Sequence, residues 1–252
     1  MSETREAWAS AMRAGVVSRR RVVLALSAAA AVHCRVAPDS QAMQDLIEGT
    51  LLVRGEADLA GGDMAWRVVQ DVAEAGYAAG FQRRALGFTV NSGIFTELLL
   101  TDEATGSAYR LAPGEAAFVG EGTMQLRESL GSDAESYLRI ALVQAALTGD
   151  AGGDRMVFAG PAFAAPAGPV SLTLVRLDLT EGDRAYAAPG LAQVLILVLQ
   201  GEIEIEEGEA GPITQLRTVV GSGISYAAHS TAWGTSITAL RDATYVLLAA
   251  IQ

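Results

Sequence analysis

Lysine is absent from the chain: all 18 basic residues among the 252 are arginine. A Schiff base, or any other chemistry that needs an amine side chain, is thereby excluded. Histidine (two) and cysteine (one) are nearly as scarce, and His33 and Cys34 stand side by side near the N-terminus. Aromatic residues make up only 6% and charged residues only 19%, whereas 50% of the chain is hydrophobic. That is ample apolar material for a core and too little charge for a disordered chain. The 29 acidic residues bring the net charge to −11. Such a balance argues against nucleic acid and anionic lipid surfaces as partners.

No apolar run near the N-terminus is long enough to cross a bilayer. The longest, Val22 to Val32, follows Arg19, Arg20 and Arg21 in "SRRRVVLALSAAAAVHC". As a helix it would rise about 16 Å against a hydrocarbon thickness of about 30 Å. A basic flank before a short apolar core is the pattern of an export signal. Ser18-Arg19-Arg20 before Val22-Val23-Leu24 resembles a twin-arginine signal, with Val where Phe is usual. Ser40 and Ala42 in "SQA" supply small residues for cleavage near Ala42. An anchor through Cys34, or an N-terminal helix that stays attached, are the alternatives. Residues 1–42 are thus expected to be a signal peptide and the mature chain extracellular or at the cell surface, with no membrane span. Cleavage would leave 12 basic against 26 acidic residues, a net charge of −14, with no cysteine and His229 as the single imidazole. A disulfide, a thiolate nucleophile or a cysteine-rich zinc site would then be impossible.

From Leu51 onward, short runs rich in Val, Leu, Ile and Thr alternate with Gly, Asp and Pro. This texture predicts an all-β antiparallel sandwich or barrel with little helix. "GDAGGDRMVFAGPAFAAPAGPV" interrupts it with five Gly and three of the seven Pro. The pattern predicts a first barrel over 51–148, a connecting segment over 149–169 and a second barrel over 170–252. The halves resemble each other. Arg110 precedes Gly114 as Arg217 precedes Gly221, both at an offset of 107 residues. An acidic hairpin precedes each pair ("ELLLTDEATGSAYRL", "EIEIEEGEAGPITQL"), and an apolar strand follows it ("YLRIALVQ", "ATYVLLAAI"). Three matches in one order point to a tandem repeat.

With these features the sequence resembles the cupin superfamily, in its two-barrel (bicupin, RmlC-like jelly-roll) form. The family's motifs are G-x5-H-x-H-x3-E-x6-G and G-x5-P-x-G-x2-H-x3-N. Gly182 and Gly201 stand at the ends of the first motif, with Ala188, Gly190 and Val194 at its ligand positions. Gly221 begins the second, whose histidine position is Ala232. In the first half Gly114 and Gly122 match the second motif, with Gln125 at the histidine position, and "GGDMAWRVVQDVAEAGYAAGFQRRALGFTVNSG" contains no histidine. The resemblance implies tandem double-stranded β-helix barrels. The family's enzymes hold transition metals through imidazoles and a carboxylate. One imidazole cannot build that site, so neither metal nor other cofactor is expected.

The remaining candidates are few. Glu202, Glu204 and Glu206 alternate with Ile203 and Ile205, placing all three on one strand face. A solvated outer face is the expectation, a hard-cation site the alternative. His229, Tyr226 and Trp233 could line the mouth of the second barrel, but no serine or acid completes a triad. Trp66, Arg67 and Gln70 are a pocket candidate in the first half, although a Trp-Arg pair on a β strand more often divides between core and surface. Gln125 and Arg127 alternate with Met124 and Leu126. Facing inward they need a ligand or water, and facing outward they need nothing. The glycine-rich stretches fit turns and not phosphate cradles. Val194 to Leu199 is apolar without alternation, so both faces of that strand should be covered, one by the barrel interior and the other by the partner barrel or a second subunit. The expected protein is an exported, acidic, non-catalytic bicupin that binds a small molecule or serves a structural role. A metal-independent isomerase or lyase using His229 and Tyr226 is the alternative, ahead of a metal-dependent dioxygenase.

Overall fold

The computed structural model describes residues 49–80, 86–122, 124–147, 155–187, 191, 193–207, 223–226, 235–242 and 244–252. The first eight strands are β1 (Thr50–Ala73), β2 (Ala79–Gly80), β3 (Leu86–Asn91), β4 (Leu98–Asp102), β5 (Ala108–Leu111), β6 (Ala116–Val119), β7 (Gln125–Ser129) and β8 (Glu135–Gln144). A single turn of 3-10 helix, Ala145–Leu147, follows. The remaining strands are β9 (Arg155–Ala159), β10 (Phe163–Leu179), β11 (Arg184–Ala187), β12 (Gln193–Gln200), β13 (Ile203–Glu207), β14 (Gly223–Tyr226), β15 (Thr235–Ala239) and β16 (Thr244–Ile251). Among the described residues no helix is long and apolar enough to cross a membrane. The all-β expectation holds.

One nine-stranded antiparallel sheet runs β14-β12-β16-β10-β1-β8-β3-β6, with β9 pairing on β1. Its order is a palindrome in the repeat. From the centre, β10, β16, β12 and β14 occupy the places in the second half that β1, β8, β3 and β6 occupy in the first. Two smaller sheets, β2-β7-β4-β5 and β11-β15-β13, complete one barrel in each half.

The halves share a wall. β1 pairs with β10 from Thr50 to Met64, then with β8 from Met64 to Ala73, so one strand serves both halves. The segment expected as a connection, 149–169, is largely strand in its described part. It contains β9, paired with Arg67–Gln70, and the start of β10, paired with Asp58–Met64. Prolines are tolerated there at Pro166 and Pro169 because, among the described residues, this part of β10 is paired on one side only, β16 joining from Leu172 onward.

Three apolar clusters follow from strand alternation. Trp66, Val68, Phe88, Ile140, Leu172, Leu174, Leu195 and Leu247 are among the residues packed between the halves. Val175, Leu177, Val194, Ile196, Val198, Ile203, Ile205, Ile237, Val246, Leu248 and Ala250 fill the second barrel. Ala73, Leu98, Leu100, Leu111 and Tyr137 form a smaller cluster in the first. β12 shows the logic. Leu195 and Leu197 face the neighbouring half while Val194, Ile196 and Val198 face the barrel interior. Both faces are covered, and the partner barrel supplies the second cover, as the unbroken apolar run predicts. Each such leucine contributes about 1.5–3 kcal/mol by burial.

Gly114, Gly122, Gly182 and Gly201, the four described glycines at the motifs' Gly positions, all have positive φ, between 77° and 86°. L-residues avoid this region, so glycine is required for the turn. At Gly201, between β12 and β13, an added Cβ would also collide with Thr244.

Candidate functional site

The two barrels are built alike and filled differently. An offset of 107 residues relates Thr89 to Ile196 and Arg139 to Val246. Ile196 and Val246 belong to the aliphatic filling of the second barrel. Their counterparts in the first barrel are a hydroxyl and a guanidinium.

Strand pairing brings this polar set together. Arg67, Val69 and Asp71 alternate along one face of β1. Across the ladder, Val69 pairs with Arg139 and Asp71 with Tyr137. Arg139 pairs in turn with Thr89, and Tyr137 with Asn91, on β3. The opposing sheet contributes Gln125, Arg127 and Ser129, alternate residues of β7 that are all buried while Leu126 and Glu128 are not. The choice left open by the sequence is thus resolved: Gln125 and Arg127 point inward, each only 5% exposed.

Within this tier the Thr89 hydroxyl donates to Gln125 Oε1 at 3.4 Å. Arg127 Nη1 donates to the Gln125 carbonyl at 3.4 Å, and its guanidinium carbon lies 5.3 Å from the centre of the Tyr137 ring. Arg139 Nη2 reaches Asp71 Oδ2 at 3.5 Å. The Tyr137 hydroxyl engages both the Asp71 carboxylate and the Arg127 guanidinium. Burial pushes the Arg127 guanidinium below its ordinary range, against the opposing influence of Tyr137 and Asp71. Burial likewise pushes the Tyr137 hydroxyl well up, keeping it protonated and able to donate. The Asp71 and Arg139 side chains keep 20% and 12% of their surface exposed, so the tier communicates with solvent there.

Two buried polar residues at one end of this barrel are structural. Asn91 Nδ2 donates to the carbonyls of Thr96 and Leu111 at 3.0 and 2.9 Å. Glu135 accepts from the backbone N–H of Phe95, Thr96 and Ser136. These bonds tie down the loop between β3 and β4.

Other candidates are dispersed. Trp66 does not share a pocket with Arg67, because adjacent strand residues point to opposite faces. It is fully buried between the halves, with no hydrogen bond to Nε1 among the described residues. Gln70, four residues on, lies on the Trp66 face and not with Arg67. Tyr226 lies on β14, paired with Val194. His229, Trp233, Ala188, Gly190 and Ala232 fall outside the described residues. Glu202 and Glu206 meet Arg241 and Arg184 at 2.9 and 3.4 Å on the outer surface, while Ile203 and Ile205 point inward. The glutamate face is the solvated one.

The described ligand positions of the cupin motifs do not fit a transition metal. Val194 lies within an aliphatic cluster. Gln125 offers an amide already bonded to Thr89, with Arg127 two residues away, and cations repel a metal ion. No group of three or more His, Cys, Asp or Glu side chains converges among the described residues.

Sequence reasoning singled out Arg67, Gln125 and Arg127 but missed Asp71, Thr89, Tyr137 and Arg139. The signal lay in the repeat: Arg139 stands at an interior position that the second half fills with Val246.

No protein-family model matches the chain and no curated protein is significantly similar to it. Solved structures do resemble it. The protein YhaK from Escherichia coli is 12% identical, with a TM-score of 0.50 over 78% of this chain and 92% of that one. PA5104 from Pseudomonas aeruginosa PAO1, a conserved protein of unknown function, is 11% identical, with a TM-score of 0.50 over 80% and 89%. A cupin 2 conserved barrel domain protein from Leptotrichia buccalis is 11% identical, with a TM-score of 0.42 over 83% and 94%. At these identities the likeness concerns fold alone. With the two sheet pairs described above, the architecture is that of tandem jelly-roll barrels.

Proposed function

We propose that this chain is a two-barrel member of the cupin superfamily that binds a small molecule without catalysing its conversion, and that it does so outside the cytoplasm. The first barrel is the binding element and the second its scaffold. The difference between the two interiors carries this reading. At positions related by the repeat, one barrel is packed with Ile196 and Val246 and the other keeps Thr89 and Arg139. Buried polar groups that only held the fold together would be replaceable by aliphatics, as the second barrel illustrates. Retaining them is the mark of a site where a few polar groups orient a ligand. The metal-dependent chemistry of the family is not part of this proposal, because the described ligand positions carry unsuitable groups. The leader read in residues 1–42 supports export.

The reading is tested by screening small molecules for a rise in Tm of the purified mature chain, then repeating each hit on Gln125→Leu and His229→Ala. A first-barrel site predicts that the response is lost in Gln125→Leu and kept in His229→Ala. The opposite pattern, or turnover of the ligand that His229→Ala abolishes, would overturn it. Export is checked separately by sequencing the N-terminus of the protein from its native cell, where a start at Met1 or Ser2 rejects the leader.

A further inference from the structure

Three exposed apolar side chains are gathered at the end of the first barrel where β1 stops and β8 begins. Phe95 is 76% exposed, Tyr77 65% and Leu130 37%. Strand pairing brings their backbones to one rim. Leu130 directly follows Ser129, the last residue of β7. Its N–H donates to the Glu97 carbonyl at 3.0 Å, two residues from Phe95. On the other flank of β7, Ser129 bridges to Ala75, two residues from Tyr77.

The loops that carry these side chains are locked to one another. Glu135 accepts from the N–H groups of Phe95 and Thr96 at 3.2 and 2.7 Å, and the Ser129 hydroxyl donates to the Asp133 carbonyl at 2.6 Å. Gly93 and Gly131 fit so closely against Glu135 and Thr96 that an added Cβ would collide with them. None of these bonds uses the Phe95 ring, so the fold presents the ring without depending on it. The repeat agrees. An offset of 107 residues relates Leu98 to Ile205, both buried, and Phe95 to Glu202, which meets Arg241. The charges of these loops are of one sign. Glu74, Glu97 and Asp133 are exposed, and segments 74–78, 92–97 and 130–134 contain no basic residue. Arg110, from β5, reaches one of the three carboxylates, Glu97, at 3.5 Å.

We infer that this rim is a docking surface for a cationic segment of another protein, one carrying arginine or lysine beside an apolar side chain. This goes beyond the interior binding proposed above and does not rest on it. Exposed aromatic faces attract cations, and the carboxylates around them supply the complementary charge. An aromatic anchor held on locked loops loses little freedom when a partner covers it. Charge selects against the other occupants. A second copy related by a two-fold axis would set Glu74 and Asp133 against their own equivalents. An anionic membrane surface is repelled in the same way.

The probe is a blocked hexapeptide alternating arginine with leucine, titrated by calorimetry into the mature chain at low and high salt. Beside it runs the same peptide with citrulline in place of arginine. The arginine peptide should bind saturably and more weakly as salt rises, and the citrulline peptide about tenfold more weakly still. Phe95→Ser should weaken the arginine peptide about tenfold while leaving the Tm of the free chain unchanged. Glu74→Gln with Asp133→Asn should weaken it too and flatten its salt dependence. Glu204→Gln, which removes one charge from the outer face of β13, should leave it unchanged. The inference falls if the arginine peptide does not bind, or if Phe95→Ser binds it as wild type does. It falls equally if Glu204→Gln weakens binding as much as the rim variants, which would mean general attraction to an acidic protein. Sedimentation showing a dimer that Phe95→Ser breaks would place a second copy on the rim instead. Flotation with phosphatidylglycerol vesicles that Phe95→Ser abolishes would place a membrane there. Either result rejects the cationic segment.

Discussion

The Arg127 guanidinium carbon sits 5.3 Å from the centre of the Tyr137 ring, a cation over an aromatic face inside a β-barrel. The contact offsets part of the cost of burial, by about 2 kcal/mol in such a desolvated setting. Replacing a whole buried ionic set by apolar groups of similar volume is often neutral, but removing one member leaves its partners uncompensated and costs about 3–5 kcal/mol. Arg127→Met should accordingly lower the Tm measured without ligand. Tyr137→Ala should lower stability by about 3–5 kcal/mol, because it empties the centre of the smaller core. A chain left as stable as wild type by Arg127→Met would mean that the contacts of Arg127 inside the barrel contribute nothing to the fold.

Alkaline stability turns on two tyrosines. Burial raises the hydroxyls of Tyr137 and Tyr245 well above their ordinary value of 10.0. A group whose pKa is raised on folding contributes stability that is intact below its unfolded pKa and drains away as pH climbs past it. Stability should be flat on this account up to about pH 10 and then fall. Ultraviolet difference absorbance should show these two hydroxyls ionising together with loss of the fold, and a Tyr137→Phe/Tyr245→Phe chain should hold its fold to higher pH.

The acid side has a surface marker. Asp183 accepts from the backbone N–H and the hydroxyl of Thr180 at 2.8 and 2.7 Å. These bonds hold its carboxyl below the usual 3.8. Depression on folding means a contribution present above the unfolded pKa and lost as pH drops through the folded one. The Tm of Asp183→Asn should approach that of wild type below about pH 4, with any gap widest near neutrality. A gap that persists unchanged in acid would assign the turn's stability to something other than this carboxylate.

Packing at the last strand gives a further test. Leu247 faces the junction between the halves and its neighbour Leu248 faces the second barrel. Each, changed to Ala, should cost about 2–5 kcal/mol in denaturant unfolding. Gly201→Ala should cost about 1–2 kcal/mol from its left-handed backbone alone, and more from the collision with Thr244. If either leucine proved dispensable, β16 would not be covered on both sides.

Much of this architecture was legible beforehand, for physical reasons. Turn glycines need positive φ, so Gly114, Gly122, Gly182 and Gly201 marked real turns even with the ligand residues between them missing. The run Val194 to Leu199 announced two covered faces because an exposed face would have carried polar groups. The polar tier was harder to see. Alternation in "QLRES" fits an inward or an outward Gln125 equally well, and nothing local distinguishes them. Trp66 and Arg67 read as core plus surface ahead of one pocket, and strand geometry does send them to opposite sides, but both sides are buried. Asp71, Tyr137 and Arg139 meet only through the register between β1 and β8, which a sequence read along its length does not display. The segment 149–169 read as a connection because of its Gly and Pro, but pairing with β1 overrode that local preference.

The shared strand has a consequence for synthesis. The leading part of β1, Thr50–Met64, pairs with Phe163–Arg176 and, among the described residues, with nothing in the first barrel's own ladder over most of its length. During translation it must wait about a hundred residues for its neighbour. A polypeptide interrupted near residue 148 would carry nearly a whole first barrel and yet present a long bare strand edge, open to pairing with another copy. Its fate would be self-association, and the two halves, however alike, are obliged to mature as one.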